Sequence, residues 1–136
     1  MPASQLPVFV YGTLRPGQAN YLRLLAGKTV REVSASCRGR LYYVTEGDYP
    51  YLEPGEGTVT GELLTLATAD YENILGALDR LEEYAPHNEE SSDYLRRRTI
   101  VTLADGTQTQ AWVYFWNCPD ISGESIRSGD FLNRGK

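Results

Sequence analysis

Tyr94-Leu95-Arg96-Arg97-Arg98-Thr99-Ile100-Val101-Thr102-Leu103, then Ala104-Asp105-Gly106-Thr107, then Gln108-Thr109-Gln110-Ala111-Trp112-Val113-Tyr114-Phe115-Trp116, is the stretch that decides the fold. Two runs rich in β-branched and aromatic residues flank an Asp-Gly pair, whose glycine takes the positive φ of a tight turn without strain. The stretch therefore predicts an antiparallel hairpin. Its three consecutive arginines fall in a strand, so their side chains alternate between two faces instead of forming one basic patch.

The segment before the hairpin is helical. Thr68 is the expected N-cap, and Asp70 and Glu72 place negative charge in the first turn, where the helix dipole favours it. Tyr71, Ile74, Leu75, Leu78 and Leu81 recur at helical spacing. Ala85 to Asp93 reads as a polar, exposed loop joining helix to hairpin. Further back, Thr58 to Leu66 and Val33 to Val44 read as strands. Gly39 inside the second signals a bulge or a close backbone approach. Glu46 to Gly57 reads as turn-rich.

Leu6 to Tyr11 is a short apolar run ended by Gly12 and predicts a buried first strand. Gly12 to Gly17 follows as a loop, and Ala19 to Leu25 as a short helix with Gly27 as its C-cap. Residues from Cys118 onward carry no clear element. Six or so strands with helices inserted at two separated points do not alternate as a parallel βαβ protein does. The expected class is α+β: one domain over residues 1–136, with a mainly antiparallel sheet, open or closed into a barrel, and a helix packed on it.

Composition narrows the function. A formal net charge of −5 over 136 residues argues against a surface that tracks phosphates, so no nucleic acid is expected. The two cysteines, Cys37 and Cys118, lack metal-ligand spacing, and His87 is the sole histidine, so no metal site is expected. Met1 to Leu6 lacks a basic start and an apolar stretch, and no run of about 18 apolar residues spans a membrane. A cytoplasmic location is expected.

Two features carry chemistry. At about 100° per residue, Glu82 falls on the stripe of Leu75 and Leu78, whereas Glu83 falls about 100° further round with Glu72, Gly76 and Asp79 on the polar side. A carboxyl turned toward a core has its pKa raised and becomes a proton-transfer group near neutral pH. On pattern alone the plainer alternative is favoured, that the helix frays at Leu81 and Glu82 reaches solvent or pairs with an arginine. In Tyr11-Gly12-Thr13-Leu14, a strand end followed by Gly and a small polar residue can aim successive N–H groups at an anion. The alternative there is an ordinary turn.

Taken in order, Val10-Tyr11-Gly12-Thr13-Leu14 with Gly17 and Asn20, Tyr49-Pro50, Val59-Thr60-Gly61-Glu62-Leu63, Leu78-Asp79-Arg80-Leu81-Glu82, Tyr94-Leu95-Arg96, Ala111-Trp112-Val113-Tyr114 and Ser128-Gly129-Asp130-Phe131 resemble the motifs of the γ-glutamylcyclotransferase-like family. The resemblance runs from about Val8 to Phe131. It implies a small β-barrel with flanking helices and a cavity lined by the Tyr-Gly-Thr-Leu loop. Two departures stand out. Glu83 occupies a position that is often Gly in the family, and the Ala85 to Asp93 loop is longer than in animal members.

The reaction implied is attack of a γ-glutamyl α-amine on its own γ-carbonyl, releasing an amine and 5-oxoproline, an acyltransferase or lyase-type aminolysis. The resemblance makes Glu82 the general acid/base. It assigns the glutamyl portion to the N–H groups of Gly12, Thr13 and Leu14, with Tyr11 shaping the pocket and Tyr114 a weaker hydrogen-bonding candidate. Arg96 is expected in a structural pair. The partner is a small γ-glutamyl molecule, and no cofactor or metal is called for. The rival is a non-catalytic binding or interaction module on the same fold.

Overall fold

Val8, Phe9 and Val10 form β1, and none is more than 3% exposed. An all-apolar run suits a strand covered on both faces. In the computed structural model, which describes residues 5–133, β1 lies antiparallel to β3 (Tyr49–Leu66) and parallel to β5 (Gln108–Trp116). The hairpin expected at Asp105-Gly106 is present, joining β4 (Tyr94–Leu103) to β5, with Gly106 at φ +88°. β4 pairs with β2 (Thr29–Val44), and β2 pairs along its length with β3. Five strands thus close into a barrel in the order β3-β1-β5-β4-β2, antiparallel everywhere except β1–β5. A two-residue strand, β6 (Glu124–Ser125), is added to β2. The fold is the expected mainly antiparallel barrel flanked by α1 (Ala19–Leu24) and α2 (Tyr71–Leu81).

Side-chain alternation on β1 divides the core. Val8 and Val10 pack with Leu64, Ile74, Leu75 and Leu78 between barrel and helix, whereas Phe9 packs with Leu52, Val59, Val101 and Val113. Burying each of the aliphatic side chains of α2 contributes about 2 kcal/mol. Among the described residues, no helix is long and apolar enough to cross a membrane. The call on Met1 to Leu6 falls mostly outside the described residues.

Three expectations about elements are corrected. Of the stretch 46–57 expected to be turn-rich, only residues 46–48 turn, and β3 begins at Tyr49. Pro54 to Gly57 bow out opposite Gly39, since Arg38 pairs with Thr58 and Arg40 with Glu53. The proline and glycines there mark an interruption within the strand, not its end. β2 starts at Thr29, before Val33, because its polar first residues still find ladder partners in Thr65 and Leu66. Thr68 opens a 3-10 turn without capping anything, and α2 begins after Asp70, whose Oδ1 accepts from Asn73 Nδ2 at 2.9 Å.

The unassigned tail docks onto β3. Thr60 N–H donates to Gly129 O at 2.7 Å. Gly129 has φ +70°, and a Cβ there would meet Thr58 O at 2.0 Å, so only glycine fits. This docking delivers Asp130 to Arg15, in the loop after β1.

Gly61 of β3 faces β1 so closely that a Cβ would lie 2.0 Å from Val10 O. Gly61→Ala must push β1 away from β3. It is expected to lower stability by about 2–3 kcal/mol, read as a lowered denaturation midpoint at unchanged slope. A midpoint within error of the parent would contradict this account of barrel closure.

Candidate active site

The loop leaving β1 is held from three sides. Arg15, 5% exposed, donates from Nε and Nη2 to the two carboxylate oxygens of Glu62 at 2.8 and 2.9 Å, and from Nη1 to Asp130 Oδ1 at 2.6 Å. A buried guanidinium is tolerable only when paired in this way. Asn20 Nδ2, on α1, donates to Thr13 Oγ1 at 2.7 Å. Pro50 packs on Gly12 where a Cβ would come within 2.4 Å of its ring, which accounts for glycine at that position.

Loop carbonyls are in use: Gly12 O accepts from Arg15 N–H and Thr13 O from Tyr21 N–H. Among the described residues, no acceptor meets the N–H groups of Gly12, Thr13 or Leu14. Unpaired donors in a largely buried segment are a ready anion site.

The second component comes from the end of α2. The helix stops at Leu81 in a left-handed cap, with Glu83 N–H donating to Arg80 O at 3.2 Å and Tyr84 N–H to Asp79 O at 2.9 Å. Glu83 occupies the left-handed position at φ +52°, where glycine is normally used. The cap turns the chain so that Glu83 is exposed while Glu82 faces inward.

Both components line one half-open cavity of about 140 Å³, whose wall includes Tyr11, Gly12, Thr13, Leu14, Glu82 and Tyr114. All six sequence-selected residues are therefore brought together. The wall also includes Asn20, Tyr49, Pro50 and Tyr94, which sequence reasoning placed in motifs but not in the site. As residues of α1, β3 and β4 they read as structural positions, which concealed them.

No described side chain donates to or pairs with the Glu82 carboxyl, so the arginine-paired alternative is not realised. Burial, reinforced by the neighbouring Asp79 charge, raises its pKa from 4.5 to about 8. Asp79 corrects a second expectation. Placed by phase on the polar side, it is 9% exposed and accepts from Tyr114 Oη at 2.6 Å and from Arg96 Nε at 2.9 Å. It sits on the border of the apolar stripe, and partners on β4 and β5 draw it inward. Arg96 is a structural pair, as expected, stacked 4.5 Å over Trp112.

Two predictions follow from this geometry. Folded Glu82 keeps its proton up to about pH 8, whereas the unfolded chain releases it near 4.5. Its contribution is thus fully present below about pH 4.5 and is lost as pH rises through 8. The melting temperature of Glu82→Gln relative to the parent should climb between pH 5 and pH 9. A flat difference would show an ordinary, solvated carboxyl. Glu83→Gly, relieving left-handed backbone strain, should stabilise by about 0.5–1 kcal/mol in a denaturant melt. Destabilisation would contradict the cap.

Comparison with known proteins adds the lineage. A family model described as gamma-glutamyl cyclotransferase, AIG2-like, matches residues 8–133. YtfP of Escherichia coli (strain K12), a gamma-glutamylcyclotransferase family protein, is 30% identical over 129 residues, covering 95% of this chain and 98% of YtfP. In structure, an AIG2-like protein from Mus musculus superposes with a TM-score of 0.62 at 27% identity, over 88% of this chain and 86% of the other. YkqA from Bacillus subtilis superposes with a TM-score of 0.68 at 24% identity, over 96% of this chain, which spans 43% of YkqA. The match of the family model over nearly the whole chain, together with YtfP, makes this protein a member of the gamma-glutamylcyclotransferase, AIG2-like family.

Proposed function

We propose that the protein is a γ-glutamylcyclotransferase-type enzyme that releases 5-oxoproline and a free amine from a γ-glutamyl amine or γ-glutamyl amino acid. The observation that carries this is one small cavity holding both an unpaired carboxyl with a raised pKa and a loop of unengaged N–H groups. Nucleophile and electrophile belong to the same molecule, so folding the glutamyl chain in the cavity supplies much of the rate gain through orientation.

Glu82, as carboxylate, takes a proton from the substrate α-ammonium. The freed amine forms a bond to the γ-carbonyl carbon, and negative charge develops on the carbonyl oxygen. As that oxygen reforms its double bond, the γ-carbon to nitrogen bond breaks and Glu82 protonates the departing nitrogen. The ring nitrogen then gives up its second proton to Glu82, which passes it to the released amine, so the lactam nitrogen has lost two of its three ammonium protons, the leaving amine has gained two, and the enzyme returns unchanged. N–H groups of Gly12, Thr13 and Leu14 bind the anionic part of the glutamyl group or its developing oxyanion. Tyr11 and Tyr114 shape and polarise the pocket. A carboxyl with a pKa of about 8 suits both halves of the transfer near neutral pH.

The test is release of 5-oxoproline from a panel of γ-glutamyl amines and amino acids. Glu82→Gln keeps the shape and removes the titrating proton, and should lower the rate about 10²–10⁴-fold. Glu83→Gln, at an exposed position, should leave it within about two-fold. Full activity in Glu82→Gln would overturn the assignment. No release from any member of the panel by the parent protein would return the chain to the reading of a binding module.

A further inference from the structure

Asn20 stands between a surface arginine and the donor loop, and its amide has only one way round. Nδ2 donates to Thr13 Oγ1 at 2.7 Å, and Oδ1 accepts from Arg23 Nη2 at 3.2 Å. Arg23 is exposed on the same helix, and a guanidinium can only donate. Turning the amide over would set its NH2 group against that donor. The oxygen therefore stays on Arg23 and the NH2 group on Thr13.

That orientation decides what the Thr13 hydroxyl can do. Its oxygen accepts from Asn20, and among the described residues no acceptor takes its proton. Thr13 and Asn20 both line the cavity. The proton is thus free for a ligand there, beside the unengaged N–H groups of Gly12, Thr13 and Leu14. Three N–H groups and one O–H suit a carboxylate, whose two oxygens present about four lone-pair sites. With a carboxylate in place of the Asn20 amide, Thr13 would turn its proton toward residue 20, and the ligand would meet a lone pair instead.

We infer that Asn20 is a positioning residue that, held by Arg23, aims the Thr13 hydroxyl proton into the cavity as a further donor to a ligand carboxylate. The inference deepens the γ-glutamyl reading of the site and rests on it for the kind of ligand. The backbone N–H groups are aimed by the loop itself, whereas this hydroxyl is aimed by two side chains of α1. A hydrogen bond to an ionised acceptor is about twice as strong as a neutral one, so the direction of this one proton carries weight.

L-Glutamate carries the carboxylates and is not turned over by the proposed reaction. Its titration into the protein at pH 7, followed by NMR or calorimetry, reads the donor directly. Thr13→Val keeps the shape and removes the hydroxyl, and should weaken binding at least about ten-fold. Asn20→Asp, at a half-buried position beside Arg23, reverses the hydroxyl and should weaken it by a similar factor. Both changes remove the same donor, so the double variant should bind within about three-fold of Thr13→Val alone. A merely structural or electrostatic role for Asn20 would give losses that multiply. Arg23→Glu inverts the amide from an exposed position and keeps the test open if Asn20→Asp does not fold. It should weaken binding about three-fold or more, and only while the Thr13 hydroxyl is present. No binding by the parent, Thr13→Val within about two-fold of the parent, or losses that multiply in either double variant would overturn the inference. Binding is read without turnover, so a protein with the expected pattern that releases no 5-oxoproline would sink the reaction and spare the positioning role. Turnover accompanied by multiplying losses would sink the positioning role alone.

Discussion

The barrel closes through a strand of three residues. β1 contributes only Val8, Phe9 and Val10, yet it bridges β3 and β5, and without it the remaining strands would form an open sheet. So short a strand has little ladder of its own, and its hold depends on how closely β3 can approach. Gly61 permits that approach, because nothing but hydrogen fits against Val10 O. The candidate site depends on the same contact, since Tyr11 to Leu14 continue directly from β1. An ångström of slip there would move the donor loop with it.

Charge in the interior is handled in two opposite ways. Arg15 is neutralised by Glu62 and Asp130, one from β3 and one from the docked tail, and Asp79 by Arg96. These pairs are weak sources of net stability, because desolvation offsets most of the attraction, but they fix geometry. Arg15 fixes the loop against the barrel, and Asp79 fixes Tyr114. Glu82 alone among these inward carboxyls is left without a partner, and its raised pKa reflects that omission. Stability is given up at the position proposed for chemistry, as sites of function often require.

Much of this arrangement was legible in the sequence where one periodicity dominated. The Asp105-Gly106 hairpin, the apolar stripe of α2, the buried first strand and the irregularity at Gly39 all follow from local rules. The different directions of Glu82 and Glu83 follow from helical phase, although the cap that enforces them needs Glu83 in a conformation that its residue type does not advertise. What escaped was decided by partners far along the chain. Asp79 is drawn inward by residues on two later strands. Pro54 to Gly57 read as a turn because local chemistry cannot show that pairing resumes on the far side of a bulge. The tail looked structureless because its Gly129 and Asp130 act on β3 and Arg15, not on each other.

The central claim is that Glu82 holds a titrating proton near neutral pH inside the cavity, and site-resolved carboxyl titration tests it most directly. With the glutamate side-chain carboxyls labelled with ¹³C, Glu82→Gln identifies the resonance by its disappearance. The account predicts that this resonance titrates with a midpoint of about 8, well above the ordinary glutamate range near 4. A Glu82 midpoint in that ordinary range would mean a solvated or paired carboxylate, and would contradict the assignment of Glu82 as the acid/base group.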